Sequence, residues 1–148
     1  MSKDEYLSKL ELSKEDMQCY AYKVADAIVE HFDTQHTKSP VVHASREEMD
    51  EVFVETLPEE PSDPYQVLQY VLDEVMTHCN VVSHPRSYSF VPGPSNYISA
   101  MADSLSSGFN VFAGGWAASP AAAEIEIVTT NWLLQLFGFP VKKGGGIF

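Results

Sequence analysis

Within seven residues the sequence places His78, Cys79 and His84, side chains able to ligate a metal or attack a carbonyl carbon. Neither chemistry finds its remaining parts. Structural zinc sites draw on closely spaced ligand pairs, and the sequence has no CxxC and no HxxxH. An adjacent His-Cys pair rarely converges on one ion, so these residues are expected at a helix terminus and no metal site is assigned. Cys79 as a nucleophile needs a base and an orienting group, and the sequence offers no such partners. The triple glycine of "KKGGGIF" has no GK[ST] and no GxGxxG around it, so it is no phosphate-binding or dinucleotide loop. Ile147 and Phe148 after that tract have the pattern of a buried strand's opening.

A less polar chemistry is better supplied. Residues 84–137 carry Tyr88, Phe90, Val91, Pro92, Phe109, Phe112 and Trp116 beside Gly93, Gly114 and Gly115. Large apolar groups on irregular, proline-stiffened backbone are what line a small-molecule pocket or an obligate interface. Glycines among them let backbone approach a ligand closely.

The elements that must position these residues follow from apolar spacing and from caps. Ser13, with Asp16 three residues on, opens a helix whose stripe is Met17, Tyr20, Ala21, Val24, Ile28 and Phe32. Ser45 and Glu48 repeat that signature before Met49, Val52 and Phe53. Asp63 followed by Pro64 opens a third helix, with Val67, Leu68, Val71, Leu72, Val75 and Met76 on its apolar face. Ser95 is expected to cap a fourth, carrying Ile98, Met101, Ala102 and Leu105 and stopping at Gly108. Ser119-Pro120 opens a fifth containing Ile125, Val128, Trp132, Leu133 and Leu136, with Gly138 just past its end. Its low charge predicts burial on most sides. Three amphipathic front helices make a thin layer whose stripes need another surface.

Charge divides the chain. The net charge is −12, and 18 of the 21 acidic residues lie in residues 1–74, while all eight glycines lie at or beyond Gly93. Nucleic-acid binding is disfavoured, because it needs a basic footprint. No apolar run is long enough to span a bilayer. Two cysteines make no disulfide framework, and the polar, acidic N-terminus has no apolar signal segment, so a cytoplasmic protein is expected. The predicted organisation is an acidic helical part, residues 1–82, and a second part, residues 83–148.

Three ordered blocks go further. "HPRSYSFVPGPSNY" (84–97), "ADSLSSGFN" (102–110) and "WAASPAAAEIE" (116–126) closely resemble the N-terminal region of the pyridoxal-phosphate-dependent amino-acid decarboxylases of the aromatic-amino-acid, glutamate and diaminobutyrate decarboxylase group. The likeness is close over residues 65–148 and weaker over the acidic helices. It implies a mostly α chain: an N-terminal helical flap, then the first helices of an aspartate-aminotransferase-like large domain truncated before its phosphate loop. It implies that Phe90, Val91, Pro92 and Gly93 line the pocket for the substrate side chain. The segment holding Phe112 resembles one that reaches the active site of the other subunit, and Trp116 to Pro120 resemble the start of the helix framing that site. In the family the phosphate-binding turn, the ring-stacking His, the Asp at the pyridinium nitrogen and the Schiff-base Lys all follow "GGGIF". Lys142 and Lys143 match no cofactor lysine. The resemblance therefore implies a lyase that uses pyridoxal 5′-phosphate in the complete enzyme, with no catalytic or cofactor-binding residue in this chain, no cofactor bound by it alone, and no activity alone. The expected partners are a small-molecule amino-acid substrate and either a second copy in a homodimer or a catalytic polypeptide. Uncharged Val91 and Gly93 disfavour an acidic substrate side chain. A non-catalytic helical interaction module derived from such an enzyme is the alternative.

Overall fold

The computed structural model describes residues 11–88, 91 and 93–147. Phe90 and Pro92, two of the expected pocket residues, lie outside the described residues, as does Phe148. The described residues are helical with no strand among them, and Ile147 is exposed rather than opening one. The chain divides into two compact units, Met1–Tyr97 and Ile98–Phe148.

Three capped helices build the first unit. α1 spans Lys14–Thr34, with the Ser13 hydroxyl accepting the Asp16 N–H at 3.0 Å and donating to the Asp16 carboxylate at 2.7 Å. α2 spans Arg46–Phe53 behind a full capping box: the Glu48 N–H donates to Ser45 Oγ at 3.1 Å, and the Ser45 N–H to Glu48 Oε2 at 2.7 Å. α3 spans Pro64–Tyr70, where Asp63 Oδ1 accepts the N–H groups of Tyr65 and Gln66. The predicted third helix does not run on as a regular α-helix. Its backbone passes into a π turn at Val71–Val75, where the Met76 N–H reaches back to Val71 O, and then a 3₁₀ turn at Met76–His78. This shift in hydrogen bonding rotates the rest of the stripe, leaving Val71, Leu72 and Val75 half-buried and Met76 exposed.

Aromatic edges join these helices. Tyr20 of α1 and Tyr65 of α3 meet edge-to-face at 5.5 Å, and the Tyr65 hydroxyl donates to Asp16 O. Phe53 of α2 meets Tyr70 of α3 at 6.2 Å, and the Tyr70 hydroxyl donates to Val52 O at 3.0 Å. Phe32 meets Tyr97 at 6.1 Å. Each such pair is worth about 0.5–1.5 kcal/mol beyond the area it covers.

The second unit contains α4, Tyr97–Gly108 from its second residue, and α5, Pro120–Leu136. α5 corrects the expectation of burial on most sides: Ala123 and Thr130 are buried, whereas Trp132 is 61% and Leu136 80% exposed. Low charge made this helix read as enclosed, but its unit supplies a covering surface along one side only. The glycine tract contributes to that side. A Cβ on Gly144 would lie 2.8 Å from Leu134 Cδ2, and one on Gly146 would lie 3.0 Å from Thr130 Cγ2. The tract is thus packed on α5 at Gly144 and Gly146.

The capping box supplies a pH test. Hydrogen bonds from the Ser45 backbone and side chain lower the Glu48 carboxyl below its ordinary value of 4.5. A depressed carboxyl stabilises the fold above its unfolded value, and that contribution is lost as pH falls through the folded value. Amide exchange at Ser45 should therefore accelerate as pH drops below 4.5, relative to the intrinsic rate. Glu48→Gln keeps the box geometry and should abolish this pH dependence; an unchanged profile in that variant would assign the effect to another group.

Candidate functional site

The residues expected at a substrate pocket fall in both units. Val91 and Gly93 belong to the first, Phe112 and Trp116 to the second. Val91 is fully exposed, and a Cβ on Gly93 would meet nothing within 4 Å. Phe112 and Trp116 are exposed at 64% and 58%. Val91, Phe112 and Trp116 offer exposed apolar surface, and none of the four residues can transfer a proton, so within its own unit each brings apolar contact without acid–base chemistry.

The chain leading to Val91 is held from below. After α1, a 3₁₀ turn at Gln35–Thr37 gives way to a connector. The Val81 N–H donates to Pro40 O at 3.1 Å, and the Val42 N–H to Asn80 Oδ1 at 2.8 Å. His84 continues the tie: one ring nitrogen lies 3.2 Å from His36 O, and the other 2.9 Å from the Arg86 backbone nitrogen. Two further backbone bonds close the turn, His84 N–H to Val81 O at 3.0 Å and Ser87 N–H to His84 O at 2.8 Å.

Phe112 is positioned by the end of α4. Asn110 takes φ +49°, in the left-handed region where Asn is tolerated best after Gly. Its N–H donates to Ser107 O at 3.1 Å, and the Val111 N–H to Ser106 O at 3.2 Å. That pair of bonds is a left-handed helix cap, and it turns the chain sharply toward Phe112. The sequence suggested Gly108 as the stop. Gly108 does end the helix, while Asn110 makes the turn. Gly138, at φ +71°, caps α5 in the same way, with Phe139 N–H donating to Leu134 O at 2.8 Å. Beyond the first cap the Phe112 ring lies over Gly114, where a Cβ would stand 3.0 Å from Phe112 Cζ.

The candidate metal and nucleophile residues are drawn apart. His78 Nδ1 contacts Glu74 O and its ring meets Phe53 at 6.3 Å, Cys79 is exposed, and His84 makes the backbone bonds above. A pyridoxal phosphate needs a lysine in a walled site and a cradle of donors for its phosphate. The five described lysines, Lys14, Lys23, Lys38, Lys142 and Lys143, are all exposed, and the glycine tract is folded against α5. The described residues do not fit that group as its holding set. α5 does present a shallow apolar groove along Ala121, Ile125, Val128 and Trp132, edged by Glu124 and Thr129. No described helix is long and apolar enough to cross a membrane.

Sequence reasoning missed two positions. For Asn110 the signal was available, an Asn two residues past a helix-ending Gly. For His84 it was not, since no spacing rule reveals a histidine whose partners are backbone groups 48 and two residues away.

Comparison with known proteins gives this geometry a context. The pyridoxal-dependent decarboxylase conserved domain matches residues 46–148. The chain is 39% identical over 138 residues to an aromatic-L-amino-acid decarboxylase of Bacillus atrophaeus, covering 92% of this chain and 28% of that protein. It is 28% identical over 143 residues to tyrosine decarboxylase 1 of Narcissus pseudonarcissus, covering 91% of this chain and 27% of the relative. Among solved structures, tryptophan decarboxylase of Catharanthus roseus in complex with L-tryptophan matches with a TM-score of 0.75 at 22% identity, over 87% of this chain and 27% of that one. The 4-hydroxyphenylacetaldehyde synthase of Rhodiola rosea also scores 0.75, at 19% identity, over 87% of this chain and 28% of that one. These structural matches establish the shared fold. The chain thus spans about 28% of the length of the relatives it matches, and the family match begins at the first residue of α2, further forward than the motif blocks alone suggested.

The Asn110 cap generates a paired prediction. Asn110→Gly should leave stability within a few tenths of a kcal/mol of the parent, whereas Asn110→Val should cost about 1–2 kcal/mol, because only the latter is strained at positive φ. Urea unfolding followed by helix circular dichroism reads the difference. Equal midpoints for the two variants would show that the left-handed turn does not hold the cap.

Proposed function

Because this chain belongs to the pyridoxal-dependent decarboxylase family, we propose that it forms the N-terminal portion of an enzyme that decarboxylates an aromatic L-amino acid. The observation that carries the reading is the family match over residues 46–148, joined to 39% identity with an aromatic-L-amino-acid decarboxylase. The uncharged candidate pocket residues agree with such a substrate: Val91, Gly93, Phe112 and Trp116, together with Phe90 and Pro92 outside the described residues. Pyridoxal 5′-phosphate, held by the rest of the enzyme, supplies the electron sink for loss of carbon dioxide.

This chain's own residues do three things in that proposal. Phe90, Val91, Phe112 and Trp116 bound the substrate side chain and exclude water from the reacting carbon. The cap on α4 fixes where Phe112 begins. The half-buried stripe of α1, with Met17 exposed, and the groove on α5 provide surface for a second copy of the subunit and for the remainder of the polypeptide. The enzyme is proposed to act as a homodimer in the cytoplasm. A second reading, a helical module that binds protein without catalysis, is favoured by the same uncovered faces.

Two experiments separate these readings. In the full-length enzyme, Phe112→Ala should change the ratio of kcat/KM between L-tyrosine and L-tryptophan by about tenfold or more, with the cofactor absorbance retained, since an apolar wall discriminates by fit. Loss of cofactor absorbance with an unchanged ratio would move Phe112 out of the pocket. The isolated 148-residue chain should self-associate in light scattering and sedimentation, bind no stoichiometric pyridoxal phosphate and release no carbon dioxide from L-tyrosine. Turnover by that chain alone would sink the proposed division of labour, and a compact monomer that binds no hydrophobic dye would sink the proposed dimer surface.

A further inference from the structure

Among the described residues His84 is the buried ionisable side chain, 4% exposed, and the pocket reading above gives it no role. Its surroundings fix its chemistry. The Arg86 backbone N–H can only donate, so the nearer ring nitrogen, Nδ1, must accept and carry no proton. His36 O can only accept, so Nε2 must carry the hydrogen that points at it. The two bonds together select one tautomer, with Nδ1 accepting and Nε2 donating. The ring bridges two backbone segments that are 48 residues apart on one side and two residues apart on the other. An ammonium or guanidinium could not accept from Arg86, and a carboxylate could not donate to His36 O.

The bridge lies just before Val91 and Gly93. Val81, itself buried, and Asn80 bind the same connector through Pro40 O and the Val42 N–H, so the segment is anchored at three points before it turns. His84 is the last of these anchors. Its Nδ1 holds the first backbone amide after Pro85 and thereby sets the direction in which the chain departs.

We propose that His84 is a positioning residue for substrate choice: by bridging the connector after α1 to the turn at Arg86, it places Val91 and Gly93 at the wall of the substrate pocket. The inference rests on the decarboxylase reading of that wall. His84 touches neither substrate nor cofactor and moves no proton in the reaction.

Two neutral replacements divide its bonds. Asn places an amide oxygen near the Nδ1 position and keeps the acceptor for Arg86, while Gln places an amide nitrogen near the Nε2 position and keeps the donor to His36 O. In the full-length enzyme, His84→Asn and His84→Gln should each shift the kcat/KM ratio of L-tyrosine to L-tryptophan about threefold, and His84→Ala about tenfold, the range expected when one or two buried hydrogen bonds are lost. The cofactor absorbance should stay at the wild-type level in the Asn and Gln variants. On the 148-residue chain, long-range nitrogen–proton NMR should show His84 protonated at Nε2 and not at Nδ1. Ratios within twofold of wild type in both amide variants overturn the inference, as does a proton on Nδ1. Lost cofactor absorbance with an unchanged ratio also overturns it, because that pattern marks a general structural role. If the wild-type enzyme decarboxylates neither amino acid, the decarboxylase reading falls and this inference with it; if it does and the ratio is unmoved, only the inference falls.

Discussion

A short helix in water is marginal until something covers its apolar stripe, and covering is the constraint on which everything else in this chain depends. Among the described residues Val81 and Ala123 are the buried apolar side chains, and none of the large ones is fully enclosed. Fully burying one large aliphatic or aromatic side chain is worth about 1.5–3 kcal/mol. Met17, Trp132 and Leu136 forgo much of that, each being more than half exposed with the whole chain present. Among the described residues neither unit carries a layer that would cover them. What the units do carry is local: capped helix ends, edge-to-face aromatic pairs and turns closed by backbone hydrogen bonds. Those contacts specify shape well and contribute little free energy individually.

Local devices nevertheless control where the candidate wall residues lie, and they do so through polar residues. Asn110 has no part in an apolar wall, yet its left-handed backbone decides where Phe112 begins. His84 is polar as well, yet it ends the tie between the chain after α1 and the segment before Val91. The tie also explains why contacts divide the chain after Tyr97 although its composition changes near residue 82. Residues 80–87 carry a single formal charge, at Arg86, and are sparsely charged like the back of the chain, but their hydrogen bonds run to the chain after α1, and Tyr97 meets Phe32 on that helix. Composition records what a segment is made of, while the boundary follows what it is bonded to.

Legibility in the sequence tracked the range of the physics. Ser13, Ser45 with Glu48, Asp63 with Pro64, and Gly138 all act within one turn of their own helix, and each behaves as its residue type predicts. The π turn at Val71–Val75 was invisible, because it changes hydrogen-bond partners without changing apolar spacing. The exposure of α5 was misread for a related reason: a stripe says which face wants covering, not whether a cover exists within the same unit. The family was legible in three motif blocks, from which the candidate wall residues were named, and the match over residues 46–148 agrees with the family. The roles of His84 and of the packed glycine tract were not, since both depend on contacts that no local pattern encodes.

The chemistry available to this chain follows from the same division. Its candidate wall residues are apolar, its described lysines lie in solvent, and its one buried imidazole has both ring nitrogens occupied by backbone. A histidine so engaged cannot take a substrate proton without giving up the bond from Arg86, so it is unsuited to act as a general base. Any rate advantage that these residues give must therefore come from fit, from exclusion of water and from where the wall is placed. Placement is the property most sensitive to small displacements, because misplacing a reacting group by about 1 Å can cost roughly a hundredfold in rate. A wall on irregular backbone needs rigid points beneath it to hold that tolerance. In the first unit those points are backbone hydrogen bonds at Val81, His84 and Ser87; in the second they are the cap at Asn110 and the bare backbone of Gly114 under the Phe112 ring. In each unit, then, polar groups fix the backbone and leave the candidate wall residues as apolar surface.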